Sequence, residues 1–144
     1  MMKNAFLLAA LALTLGSAKV AWADNWACEY SGSYTNTKEK SGGSFVWGVH
    51  WAGQPGGPWK LTGAVDDKWG HSVFDGTCAN KKCDFTQLYS TGPLKDKVYY
   101  WTGTYTDTHP AGKDINTFIG TWGHSLAHPD DGGPWNAVAT CVKQ

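Results

Sequence analysis

Large apolar residues alternate with small polar residues along much of the chain. In residues 26–35 every even position holds Trp, Cys, Tyr or Gly, whereas Ala, Glu, Ser and Thr occupy the odd positions. Residues 99–107 repeat this pattern, with Tyr, Trp and Gly on one face and threonines along the other. A period of two places successive side chains on opposite faces of a β-strand. The pattern therefore predicts strands that have one apolar face.

Short polar or glycine-rich turns divide the alternating segments into eight predicted strands. Their expected bounds are 26–36, 44–51, 58–66, 70–78, 83–90, 98–107, 116–124 and 134–142, with a tight turn over 79–82. Eight antiparallel strands connected in sequence order close naturally into a barrel. The predicted fold is all-β, a single eight-stranded antiparallel meander barrel over residues 24–144. The alternative is a two-sheet β-sandwich.

Two parts of the chain are similar to each other. Residues 30–37 and 101–108 share four identical positions of eight. Further on, Trp47-Gly and Trp122-Gly each lead to a Gly-Gly-Pro-Trp sequence, ending at Trp59 and Trp135. Because both similarities occur in the same order, they predict an internal three-strand repeat. The repeated Trp-Gly segments are expected to form loops, over 48–58 and 123–134, at equivalent places on the barrel.

The first 23 residues have the organisation of a secretory signal peptide. Lys3 is followed by an apolar run over 5–15, and Ala21-Trp22-Ala23 is a small-x-small cleavage site. We expect cleavage before Asp24, a periplasmic or secreted protein, and no membrane span in the remaining chain. A retained membrane anchor is the alternative, although the apolar run is short for a membrane span.

Four cysteines follow this segment, and an even number in an exported chain predicts two disulfides. Three pairings are possible. Cys78 and Cys83 flank the predicted 79–82 turn, and bridging them leaves Cys28 to pair with Cys141. That second bridge would join the first and last strands at the closing seam of a barrel. The cysteine spacing does not match a zinc ribbon.

The chain contains 9 Trp and 6 Tyr, more than a core of this size needs. These residues either fill the barrel or line a binding site. A buried indole or phenol needs a hydrogen-bond partner, whereas the same rings at a barrel mouth stack on sugars or enclose planar ligands. Together with the polar residues of the second repeated segment, they give the candidate binding residues Trp47, Trp51, Trp59, Trp122, His124, Asp130, Asp131 and Trp135.

The second repeated segment resembles the repeat loop of the cyanobacterial agglutinin lectins. The similarity covers Trp122-Gly123, Ala127 and Gly132-Gly133-Pro134-Trp135. Those lectins are compact, repeat-built β-barrels that bind high-mannose glycans, so the resemblance implies carbohydrate binding. Their loops carry a second Trp beside the proline, where this chain has Asp130. The residue patterns of 45–51 and 101–105 are also similar to strands of avidin-like and lipocalin-like barrels. This similarity is one of fold and gives no information about function.

Charge and motifs narrow the functional classes. With 12 basic and 12 acidic residues and no basic patch, nucleic acid is not an expected partner. We expect no enzyme, because no Gly-x-Ser-x-Gly motif is present. His124 and His128 lack the helical two-histidine signature, so we expect no metal or other cofactor.

The leading functional hypothesis is an exported, lectin-like protein that binds carbohydrate. One alternative is a carrier of a small apolar or planar ligand, with an aromatic cavity above about 300 Å³. The other is an extracellular inhibitor or protein-interaction module, for which the partner is a protein.

Overall fold

The computed structural model describes residues 24–54, 56–108 and 114–144. The predicted signal peptide lies outside these residues. The described residues form eight β-strands, whose bounds are β1 (Asp24–Asn36), β2 (Ser41–Gly53), β3 (Trp59–Asp67), β4 (Gly70–Ala79), β5 (Lys82–Tyr89), β6 (Val98–Thr108), β7 (Asp114–Gly123) and β8 (Gly133–Lys143). Nowhere in this part of the chain does a helix have the length and apolarity to cross a membrane.

The strands pair antiparallel in sequence order, and β8 pairs with β1 to close a barrel. At this seam Cys28 lies opposite Cys141, and Tyr30 lies opposite Ala139. The predicted all-β meander barrel is confirmed, with each strand end within three residues of its expected position. The two-sheet sandwich is wrong, because every strand has a hydrogen-bonded neighbour on both sides.

Aromatic rings fill the interior of the barrel. Trp47 is stacked on Phe45 with ring centroids 3.9 Å apart, and Trp101 lies perpendicular to it at 5.0 Å. Gly103 and Gly120 make room for the Trp135 indole. A Cβ atom on either glycine would come within 2.8 Å of that ring system. The inward phase of each strand therefore combines large rings with glycines that accommodate them.

The chain reverses direction at every turn, so the barrel has two distinct ends. We call one the cysteine end: β1, β3, β5 and β7 begin there and β2, β4, β6 and β8 end there. The other is the loop end, where residues 124–132 connect β7 to β8. This assignment of ends decides which side chains can share a site.

Both predicted disulfides are confirmed, and both lie toward the cysteine end. Cys28–Cys141 joins β1 to β8, and Cys78–Cys83 joins β4 to β5. The β4–β5 turn has φ angles of 52° at Asn80 and 66° at Lys81, as a type I′ hairpin turn requires. Two disulfides are compatible with a periplasmic or extracellular location. Export itself stays a prediction.

The repeated segments have a related register but different local structure. Tyr30 lies opposite Trp47 on β1 and β2, and Trp101 lies opposite Trp122 on β6 and β7. The expected loop over 48–58 is wrong, since residues 48–53 continue β2 and pair with β1 and β3. β2 ends at the cysteine end and β7 ends at the loop end, so the two connections lie at opposite ends of the barrel. The internal three-strand repeat stays a prediction.

Candidate ligand-binding site

Three of the predicted binding tryptophans lie in the barrel interior. Trp47, Trp122 and Trp135 expose only 4%, 5% and 2% of their surface. Backbone carbonyls satisfy two of their indoles: Trp122 Nε1 donates to Thr35 O at 3.0 Å, and Trp135 Nε1 donates to Thr102 O at 2.9 Å. Almost all of their ring surface packs against other residues of the core. The prediction that these three residues form a binding surface is therefore corrected, and they are core residues.

The predicted polar residues lie at the loop end. His124 and Asp131 bind each other: the backbone N–H of His124 donates to Asp131 Oδ1 at 2.8 Å, and its Nδ1 lies 2.9 Å from the same oxygen. These hydrogen bonds lower the pKa of Asp131 from its ordinary value. Asp130 is exposed. In the described ranges no group of three or more His, Cys, Asp or Glu side chains is arranged to hold a metal ion. The His124–Asp131 hydrogen bonds join the two ends of the connection over 124–132 and so stabilise that loop.

A cavity of about 170 Å³ opens at the cysteine end. Four aromatic rings, two carboxylates, one amide and the seam disulfide surround it. Its described lining residues are Trp26, Trp51, Trp59, Tyr105, Asp107, Asp114, Asn116, Cys28 and Cys141. Of the eight predicted binding residues, the fold brings only Trp51 and Trp59 to this cavity.

The floor of the cavity is a buried aromatic layer. Trp51 is almost fully buried, and its Nε1 donates a 2.9 Å hydrogen bond to the hydroxyl of Tyr30. Phe118 packs against Tyr30 with ring centroids 5.1 Å apart. Burial raises the pKa of Tyr30 well above its ordinary value, so its hydroxyl stays protonated. The hydrogen bond and the packing hold the Trp51 ring in one orientation before any ligand arrives.

The side walls are aromatic as well. The Tyr105 ring stands perpendicular to Trp51 with centroids 5.4 Å apart, and Trp59 lies 6.4 Å from Trp51. Trp59 is half-buried, so part of its ring faces the opening. Three rings at these angles form a cleft whose faces are apolar and whose geometry is set by edge-to-face packing.

Two lysine ammonium groups lie at the rim. Lys81 pairs with Asp107, and its Nζ lies 5.1 Å from the centre of the Tyr105 ring. The hydrogen bond to Asp107 raises the pKa of Lys81. On the other side of the mouth, Lys143 Nζ lies 3.0 Å from a carboxylate oxygen of Asp24 and 6.0 Å from the centre of the Trp26 ring. Each ammonium group is thus held between a carboxylate and an aromatic ring.

Apart from the two cysteines of the seam disulfide, five residues that line this cavity were missed by the sequence-based prediction. Trp26 and Tyr105 share the apolar phase of their strands, but the sequence left open whether such rings fill the core or line a site. The sequence also contained a signal for the polar lining residues, since polar side chains occupy the inward positions at the ends of β6 and β7. Asp107 is in phase with Tyr105, and Asp114 and Asn116 are in phase with Phe118. Polar residues in the inward phase at a strand end indicate a barrel mouth.

The volume of the cavity limits what it can hold. It lies below about 300 Å³, the lower end for drug-sized ligand pockets, so this cavity does not meet the expectation for a deep carrier. An engineered apolar cavity of about 150 Å³ in another protein binds benzene. The cavity at the cysteine end therefore has the size of one six-membered ring.

No protein-family model, curated protein or solved structure matches this chain. A functional proposal for this protein therefore rests on the geometry of the cavity at the cysteine end.

Proposed function

We propose that this protein binds carbohydrate by holding one sugar ring in the cavity at the cysteine end. The observation that supports this proposal is a ring-sized space between indole and phenol faces, with carboxylate and amide oxygens beside them. A pyranose has patches of C–H groups that pack on aromatic faces and hydroxyls that donate to carboxylates. The lining supplies partners for both kinds of surface.

The shape of the cavity favours the end of a glycan over its middle. Trp51 and Tyr30 close the floor, so a ring that enters cannot continue through the barrel. A terminal sugar residue fits this arrangement, with the rest of the glycan remaining in solvent. Because the floor is held by packing before binding, little side-chain ordering is needed when the sugar enters.

The test is an NMR titration of the ¹⁵N-labelled protein with a panel of monosaccharides. We expect saturable binding in the millimolar range, because about 0.3 kcal/mol per non-hydrogen atom, the figure for drug-sized ligands, gives a few kcal/mol for one sugar ring. The indole signals of Trp51 and Trp59 should shift the most. Trp59→Ala should weaken binding at least about tenfold, since the ring supplies one wall.

The matched control is Trp69→Ala. Trp69 is another tryptophan on this barrel, 37% exposed in the β3–β4 turn at the loop end. Its removal should leave sugar binding unchanged. A titration in which no monosaccharide binds, or in which both tryptophan variants behave alike, would rule out the proposed site.

A second candidate function is protein interaction through the loop end. Leu126 is 79% exposed within the connection over 124–132, which the His124–Asp131 pair clamps. An exposed leucine on a clamped loop is suited to insertion into a cleft of an extracellular partner. Leu126→Asp should abolish capture of a partner from culture medium without changing sugar binding. If capture by the unaltered chain and by this variant is the same, this candidate function is wrong.

A further inference from the structure

We infer that the ring bound at the cysteine end carries a cationic amine, as in an amino sugar, in preference to a neutral or anionic ring. This inference rests on the proposed function for the location of the ligand. It adds a chemical class that aromatic walls alone do not specify.

The chain itself places ammonium groups at this mouth in two places. Lys81 lies between Asp107 and the Tyr105 ring, and both of these partners line the cavity. Lys143 lies between Asp24 and the Trp26 ring, which is also part of the lining. A cation over an aromatic face gains electrostatic energy from the ring quadrupole, and a carboxylate beside it adds to that gain. The lining therefore already binds ammonium groups from both sides.

The charges of the cavity lining also favour a cationic ligand over an anionic one. Its described residues include two carboxylates, Asp107 and Asp114, and the Asp107 carboxylate pairs with Lys81 at the rim. The four aromatic rings present further negative potential from their faces. Carboxylates in a cleft with apolar walls act through a lower effective dielectric than they would in open solvent. A protonated amine gains energy from the carboxylates and from the ring faces, whereas the carboxylate of a uronic acid gains energy from neither.

Lys81 is the internal competitor for this position. Its ammonium group lies on the Asp107 carboxylate and near the face of Tyr105, where a ligand amine would find the same partners. Removing the Lys81 charge should release both groups to the ligand. Lys82 follows it in the same hairpin and lies 4.0 Å from Asp84, on the outward phase of β5. It provides a control that has the same charge and chemistry.

The experiment compares glucosamine with glucose, N-acetylglucosamine and glucuronate on the full chain, at low salt and at a mildly acidic pH that keeps the amine protonated. Affinities are measured by the NMR titration described above. We expect glucosamine to bind about tenfold more tightly than the two neutral rings, the difference that a partly desolvated cation–π contact provides. Glucuronate should bind most weakly.

Variants then locate the preference. Asp107→Asn should reduce glucosamine affinity to that of glucose, whereas Asp131→Asn, the same change at the loop end, should have no effect. Lys81→Gln should increase glucosamine affinity several-fold and glucose affinity by less, because the released Asp107 carboxylate attracts an ammonium group more strongly than it attracts a neutral hydroxyl. Lys82→Gln should change neither. Unchanged glucosamine binding in both Asp107→Asn and Lys81→Gln would overturn the inference.

The outcomes separate this inference from the proposed function. Equal binding of all four rings, lost in Trp59→Ala, would overturn the amine preference and retain the sugar site. If no sugar binds but cyclohexylamine binds more tightly than cyclohexanol, the amine preference stands and the sugar assignment is wrong. If no ring binds, both are wrong.

Discussion

The two ends of the barrel contain similar chemical groups but are stabilised in different ways. Toward the cysteine end two disulfides link neighbouring strands, and the aromatic walls surround a cavity. At the loop end the 124–132 connection folds over Trp122: the N–H of Gly132 donates to Trp122 O, and Thr37 N donates to Gly132 O. At the mouth, covalent links join β1 to β8 and β4 to β5 in addition to the packing of the aromatic walls. A closed end is held by packing and backbone hydrogen bonds.

The same difference appears in the two repeated segments. After Trp47, β2 continues to Gly53, because the beginning of β1 extends far enough to pair with it. After Trp122, β7 ends within one residue, since Tyr100 near the start of β6 and Gly133 at the start of β8 are its last partners. Similar residues therefore form a strand at one end and a folded loop at the other. Whether a neighbouring strand is available for pairing decided whether each segment continues as a strand or forms a loop.

Removing the seam disulfide should produce the largest change. Cys28→Ala/Cys141→Ala opens a chain loop whose ends are 113 residues apart, whereas Cys78→Ala/Cys83→Ala opens one whose ends are 5 residues apart. The chain-entropy relation gives losses of about 4.8 and about 2.1 kcal/mol respectively. The free energy of unfolding in urea measures both. Equal losses would show that the seam is not held mainly by its covalent link.

Truncating one tryptophan at each end should separate stability from binding. Trp122→Ala removes a buried indole and should cost about 4 kcal/mol of unfolding free energy. Trp59→Ala removes a half-buried ring and should cost about half as much. Only Trp59→Ala should weaken sugar binding. Urea unfolding and the NMR titration test the two variants together, and loss of binding in Trp122→Ala without loss of stability would contradict this division of roles.

Acid should have a smaller effect, confined to the loop end. The His124 hydrogen bonds hold the pKa of Asp131 below its ordinary value of 3.8. A carboxyl group with a lowered pKa in the folded state stabilises that state above its unfolded pKa. This contribution is lost as the pH falls through the lower, folded value. The backbone amide signal of His124 should report the change.

Asp131→Asn provides the control for this titration. It should remove the acid-dependent step in the His124 amide signal while leaving signals at the cysteine end, such as the Trp59 indole, as they were. An identical step in this variant would assign the titration to another group.

Much of the fold followed from the alternation of residues. The inward phases of β1 and β6 were predicted correctly because one face of a closed barrel is always buried. The seam disulfide was predictable for the same reason: Cys28 and Cys141 occupy inward positions on the first and last strands. The binding site was harder to predict from the sequence. Trp47 and Trp59 lie in similar sequence patterns, although Trp47 is in the centre of the barrel and Trp59 is at its opening.

The sequence by itself determined the eight strands and the expectation of two disulfides, because period-two patterning and turn residues act over short distances. Tertiary structure decided which rings fill the interior and which line the cavity. It also placed the connections of the two repeated segments at opposite ends of the barrel. Those outcomes depend on how far each strand finds a neighbour to pair with. The length of that pairing is set by all eight strands together, so no single segment encodes it.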